Sequence, residues 1–195
     1  MEKVTFKSDN VQYHWATPIL QCKLKKHSSL NKQLTKIITT KLKESTKITS
    51  NIGTWRSEDN LLRYEFPEIK TLQEIISNAV YKILDYFVTQ DTFTGDILIE
   101  AWANVYSSGD YQTPHIHHDS NWSGVYFVSI DQNINPGNGA LILIDPRINV
   151  KNLKEYTIKP EAGLIVVFPS WLKHWVAPYY GNKKRISIAF NAKHI

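Results

Sequence analysis

Ile97-Leu98-Ile99-Glu100-Ala101-Trp102-Ala103-Asn104-Val105-Tyr106 decides how this chain folds, because from Asp96 onward the hydrophobic period changes from 3.6 to 2. Side chains on a strand alternate between faces, so this stretch reads as a long strand and predicts others behind it. Downstream, the same alternation or a short apolar run marks strands over 122–130, 140–144, 156–158, 164–168 and 185–191. Turn chemistry separates them, at Ser107-Ser108-Gly109-Asp110, Asn135-Pro136-Gly137-Asn138-Gly139, Pro160-Glu161-Ala162-Gly163 and Tyr180-Gly181-Asn182. Upstream, after an extended start around Thr17-Pro18-Ile19-Leu20, Leu30, Leu34, Ile37, Ile38 and Leu42 recur at helical spacing within 29–47. A second helix opens at Pro67, a good first-turn residue, and carries Ile69, Leu72, Ile76, Val80, Ile83, Leu84 and Phe87 on a wide apolar stripe suited to crossing a sheet. Helices first and strands afterwards predict a mainly β, α+β fold: a jelly roll buttressed by N-terminal helices, with 1–95 as helical support and 96–195 as core of a single domain.

Composition agrees with one packed unit. The chain has 195 residues, with six Trp, ten Tyr and seven Phe, and neither a repeat nor a low-complexity linker. Its net charge of +5 comes largely from lysines between Lys3 and Lys47, which read as a solvated helix face rather than a nucleic-acid surface. One cysteine, Cys22, cannot close an internal disulfide. No apolar run is long enough for a bilayer and no signal-peptide pattern opens the chain, so the expectation is a cytoplasmic protein, in the host cytoplasm if viral.

The chemistry sits at Pro114-His115-Ile116-His117 and Ser170-Trp171-Leu172-Lys173-His174. On extended backbone, positions i and i+2 share a face, so His115 and His117 converge, and His174, just after the buried strand at 164–168, can close a metal site. Asp119 offers a second register. Either His115, His117 and His174 are the ligands, or His117, Asp119 and His174 form a two-His-one-carboxylate set. Eleven residues after His174, Arg185 supplies a fork of donors matched to a carboxylate, and Ser187 shares its strand face. Together they point to a redox metal with an acid co-substrate. Tyr126 and Asn104 lie at parities compatible with facing the same pocket, while Trp171 and Trp175 read as core packing around it. Nucleotide-binding glycine loops, Cys-x-x-Cys and Gly-x-Ser-x-Gly are all missing, which removes the commonest nucleotide, zinc-ribbon and serine-hydrolase readings.

The runs Tyr111-Gln112-Thr113-Pro114-His115-Ile116-His117, Ser123-Gly124-Val125-Tyr126-Phe127-Val128, Asp145-Pro146-Arg147, Phe168-Pro169-Ser170-Trp171-Leu172-Lys173-His174 and Arg185-Ile186-Ser187-Ile188-Ala189-Phe190-Asn191 resemble a family of 2-oxoglutarate- and Fe(II)-dependent oxygenases common in phages and marine bacteria. More distantly they are similar to prolyl hydroxylases. Gly53-Thr54-Trp55-Arg56-Ser57 is similar to a short upstream motif of the same family. The resemblance implies a double-stranded β-helix with Fe(II) at the barrel mouth, 2-oxoglutarate chelating the metal, its far carboxylate on Arg185, and O2 as oxidant in a hydroxylation. It favours the His115, His117, His174 register, with a third histidine where prolyl hydroxylases use a carboxylate. Two other readings stay open: a cupin-like three-His metalloenzyme that does not use 2-oxoglutarate, and a non-catalytic jelly-roll binding module. The substrate is expected to be a small molecule or a peptide.

Overall fold

The computed structural model describes residues 16–42, 50–86, 95–131, 135, 137–147 and 154–195. In chain order the elements are β1 (Leu20–Lys23), α1 (Ser28–Lys41), β2 (Asn51–Ile52), β3 (Trp55–Arg56), a 3-10 turn (Leu61–Arg63), α2 (Pro67–Leu84), β4 (Ile97–Tyr106), β5 (Tyr111–His115), β6 (Trp122–Ser129), β7 (Leu141–Ile144), β8 (Glu155–Ile158), β9 (Leu164–Pro169), β10 (His174–Val176) and β11 (Arg185–His194). Of the expected helices, the 43–47 portion of the first and Phe87 of the second lie outside the described residues, as does Pro136 of the expected turn.

Two antiparallel sheets face each other. The major sheet runs β1-β9-β6-β11-β4-β3 and the minor sheet β2-β5-β10-β7-β8, which is the double-stranded β-helix. The long β4–β11 ribbon forms its spine, pairing Arg185 with Tyr106, Ser187 with Asn104, Ala189 with Trp102 and Asn191 with Glu100. Alternation then sorts the spine into two faces. Ala101, Ala103, Val105, Ile186, Ile188 and Phe190 turn outward into a core shared with Leu34 and Ile38 of α1 and Leu72, Ile76, Val80 and Ile83 of α2. Each fully buried Leu or Ile there contributes about 1.5–3 kcal/mol, so the helices are anchored by the stripe that the sequence predicts. Pro67 begins α2, and Glu68 in its first turn complements the helix dipole. The opposite face of the spine, with Glu100, Trp102, Asn104, Tyr106, Arg185, Ser187 and Asn191, looks into the space between the sheets.

The first 95 residues contribute more than helices. β1 pairs with β9, β2 with β5 and β3 with β4, so both sheets draw strands from the part expected to be support alone. Two residues, Gly53 and Thr54, carry the chain from β2 in the minor sheet to β3 in the major one. Gly53 has φ +75°, a left-handed conformation that favours glycine.

Candidate metal centre

β5 and β10 are neighbours, and their register sets His174 directly opposite His115. β5 ends at His115; His117 lies just beyond it, where its backbone N–H donates to Ser170 O at 3.0 Å and ties it to the turn leading into β10. The ring centroids are 4.3 Å apart for His115 and His174, 5.2 Å for His115 and His117, and 5.3 Å for His117 and His174. One ligand atom from each of the three lies within 4.8 Å of the others. Asp119 is not in this group; it lines a neighbouring cavity with His118, Ser120 and Lys193.

The tautomers of two of these rings follow from their partners. Nδ1 of His115 is 2.8 Å from Thr113 O, and Nδ1 of His174 is 2.8 Å from Leu172 O. A carbonyl can only accept, so Nδ1 carries the proton and Nε2 keeps the lone pair. Burial, reinforced by the neighbouring His115, pulls His174 down to about 3, although Leu172 O opposes it. Burial likewise takes His117 to about 4, with His115 and Arg56 adding to the effect, and it lowers His115 against the opposing Thr113 carbonyl. At neutral pH the site is therefore three uncharged imidazoles, a donor set that suits Fe(II) among other first-row metals.

The cavity that contains them has a volume of about 360 Å³ and extends from the histidines to Arg185. Arg185 is 1% exposed. Its Nη1 donates to Ser187 Oγ at 3.2 Å, its guanidinium lies over the rings of Tyr106 (4.4 Å) and Phe127 (5.2 Å), and its Nε is buried without a partner. Among the described residues no carboxylate pairs with it. Burial presses its pKa down, with the Tyr106 and Tyr179 phenols opposing, yet a guanidinium stays protonated in proteins. A buried guanidinium with a spare donor facing a cavity can form charge-assisted hydrogen bonds to an anion such as a carboxylate.

Of the remaining expected site residues, Ser187 and Asn104 line the cavity, and Tyr126 does not. Tyr126 is on the outward face of β6, where its hydroxyl donates to Asn31 Oδ1 at 2.6 Å while Asn31 Nδ2 donates to Val128 O at 2.8 Å. That pair satisfies a polar contact between α1 and the sheet, and it corrects the expectation that Tyr126 faces the pocket. Trp171 corrects another: it is 52% exposed on the turn before His174, not packed in the core, whereas Trp175 is half-buried against Ala140, Ile142 and Ala177.

Sequence reasoning found Asn104 but missed several of its neighbours in the lining. Asn104 belongs to a chain of carboxamides in which Gln112 Nε2 donates to Asn51 Oδ1 and Asn51 Nδ2 donates to Asn104 Oδ1. Arg56 is paired with Asp59 and lies over the Trp102 ring at 4.3 Å, beside the metal end. Trp102 and Tyr106 share the parity of Asn104, and Asn191 that of Arg185, so alternation along β4 and β11 already carried the signal for them. Val125 and Phe168 of the major sheet and Leu141 and Val176 of the minor sheet give the cavity its apolar lining. Gly139, in the turn before β7, has φ +62°, and a Cβ there would meet Arg185 Cδ at 3.1 Å and Tyr179 at 3.2 Å, so its bare backbone makes room for the guanidinium.

Among the described residues no helix is long and apolar enough to cross a membrane. No curated protein matches the sequence. A family model described as "Putative 2OG-Fe(II) oxygenase" matches residues 100–191, the stretch from β4 into β11 that holds all three histidines and Arg185. Solved structures share the fold at low identity. A prolyl-4-hydroxylase from Pseudomonas putida superposes with a TM-score of 0.66 at 16% identity, covering 91% of this chain and 92% of that one. A prolyl hydroxylase from Trichoplax adhaerens, solved with a peptide fragment of a hypoxia inducible factor oxygen degradation domain, gives 0.62 at 15% identity over 90% and 83%. HygX from Streptomyces hygroscopicus, solved with nickel and 2-oxoglutarate bound, gives 0.63 at 10% identity over 91% and 83%. The fold is thus the double-stranded β-helix of 2-oxoglutarate oxygenases, and the family match covers most of the residues that line its cavity, Ser50, Asn51, Arg56 and Asp59 lying before it.

Proposed function

We propose that this chain is a 2-oxoglutarate- and Fe(II)-dependent dioxygenase that hydroxylates a small molecule or a peptide. The observation that carries the reading is the shared cavity: three neutral imidazoles converge at one end, and a buried guanidinium without a carboxylate stands at the other. In this reading His115, His117 and His174 hold the metal, and Arg185 with Ser187 clamps the far carboxylate of 2-oxoglutarate. Asn104 flanks the space between them and presents its amide nitrogen, since its oxygen already accepts from Asn51. When bound, Fe(II) and 2-oxoglutarate supply the oxidising chemistry, in which O2 is consumed, 2-oxoglutarate becomes succinate and CO2, and one oxygen atom enters a C–H bond of the substrate. The chain's own tasks are to orient the co-substrate through Arg185, to keep the apolar wall of Val125, Leu141 and Phe168 dry, and to hold Nδ1 protons on His115 and His174 so that Nε2 is free.

The test uses purified protein with Fe(II), ascorbate, O2 and 2-oxoglutarate. Succinate release above a metal-free control is expected, together with 2-oxoglutarate binding to the Ni(II)-loaded protein in titration. Neither succinate nor 2-oxoglutarate binding would remove the proposal.

A further inference from the structure

We propose that Asn191, held by Ser123, is the positioning residue that selects which nitrogen of His117 is free for the metal, so that metal uptake turns its carboxamide over. The inference rests on the three-histidine reading above. The three imidazoles are not held alike. His115 and His174 each meet a main-chain carbonyl two positions earlier in the chain, which leaves one tautomer available. His117 has instead a side-chain partner: its Nδ1 is 3.3 Å from Asn191 Nδ2, 74 positions away on β11.

A carboxamide can offer a donor or an acceptor, and turning it by 180° exchanges the two. In the arrangement found, Ser123 Oγ donates to Asn191 Oδ1 at 2.8 Å, which leaves the amide nitrogen facing His117. His117 Nδ1 must then accept, and the ring proton sits on Nε2, where it blocks coordination. In the turned arrangement Oδ1 accepts from His117 Nδ1–H and Nδ2 donates to Ser123 Oγ, which accepts as readily as it donates. Both hydrogen bonds survive, and His117 then offers an Nε2 lone pair like its two companions. Asn191 is thus a two-setting support under one ligand of an otherwise fixed triad, and β11 carries it on the same face as Arg185 and Ser187.

The experiment compares wild type, Asn191→Asp and Asn191→Leu as full chains, using Ni(II) titration for affinity and long-range nitrogen NMR of the imidazoles for tautomer, with thermal unfolding in parallel. Apo wild type is expected to show His117 protonated on Nε2, and Asn191→Asp, which can only accept, to show it protonated on Nδ1. Asn191→Asp is expected to bind Ni(II) at least as tightly as wild type and Asn191→Leu about 10–100-fold more weakly, the range for partners that orient a ligand. Should Asn191→Leu not fold, the tautomer difference between wild type and Asn191→Asp decides alone. An identical His117 tautomer in those two proteins, or Asn191→Leu binding within twofold of wild type, overturns the inference. Wild type taking up no Ni(II) instead overturns the three-histidine reading beneath it, whatever stands at position 191.

Discussion

The two ends of the cavity meet the cost of burial in opposite ways. At the histidine end the imidazoles are neutral and each Nδ1 has a partner inside the protein, so their burial is met by hydrogen bonds of the fold itself. At the far end a full positive charge is sequestered with a hydroxyl and two aromatic rings around it and one nitrogen unmatched. A buried charge without its counter-ion costs several kcal/mol even after relaxation. The difference teaches that the histidines are satisfied within the fold, whereas Arg185 keeps a buried donor that no described residue meets, which is the feature behind the proposed carboxylate clamp.

The sharpest way to break this comparison is to remove an imidazole from the histidine end. His174→Ala is expected to lower Ni(II) affinity by more than the roughly 100-fold that an outer partner can command, measured by calorimetric titration. A variant that still binds within tenfold of wild type would mean that the imidazoles do not act as one site. At the other end, Arg185→Met removes two or more charge-assisted bonds at about 1.5–3 kcal/mol each, so 2-oxoglutarate binding should fall by about 100-fold or more while Ni(II) binding persists. The same variant should unfold in urea no more easily than wild type when ligand-free, because the unpaired charge has gone. Marked destabilisation would show that the guanidinium serves the fold.

Acid sharpens the contrast with a smaller effect. The three histidines have folded values below their ordinary 6.5, about 4 for His117 and about 3 for His174, so between those values and 6.5 the unfolded chain binds more protons than the folded one. Their contribution to apo stability is fully present above about 6.5 and is lost as pH falls from there toward 3–4. Urea midpoints at pH 7.5 and pH 5 should differ in that direction, and replacing His174 by Phe should reduce the difference. The mildest perturbation is Gly139→Ala. It forces a side chain onto a positive φ at 3.1 Å from Arg185 Cδ, and should cost about 1 kcal/mol or slightly more in stability. Its 2-oxoglutarate affinity should fall by a few fold with Ni(II) binding unchanged, a pattern confined to the guanidinium end.

How much of this was legible in the sequence depends on the length of each signal. β4, β6, β7, β9 and β11, and both helices, announce themselves because four or more residues repeat a period or form an apolar run, and β8 through the three alternating residues 156–158. β2, β3 and β10 have only two or three residues, too few to alternate, and exist because a neighbouring strand offers them an edge. The histidines and Arg185 were legible as chemistry, since their types are unusual and their spacing matches strands. Tyr126 was misplaced because β6 is sandwiched between helices and the opposite sheet: Tyr126 is as buried as Phe127 on the other face, so hydrophobicity alone does not say which face is which. The support at His117 was illegible for a different reason. It is made by register between β6 and β11, which sets Asn191 opposite Ser123, and no local pattern encodes that.

The two-residue corner at Gly53-Thr54 acts as the spacer of the barrel. It ties Asn51, opposite Gln112, to Arg56, opposite Asn104, so the polar side of the bore has a width limited by the reach of that link. Grafting residues into the link would relax that limit without altering any of the three histidines or Arg185, so it is a place to vary the bore while the candidate site stays intact.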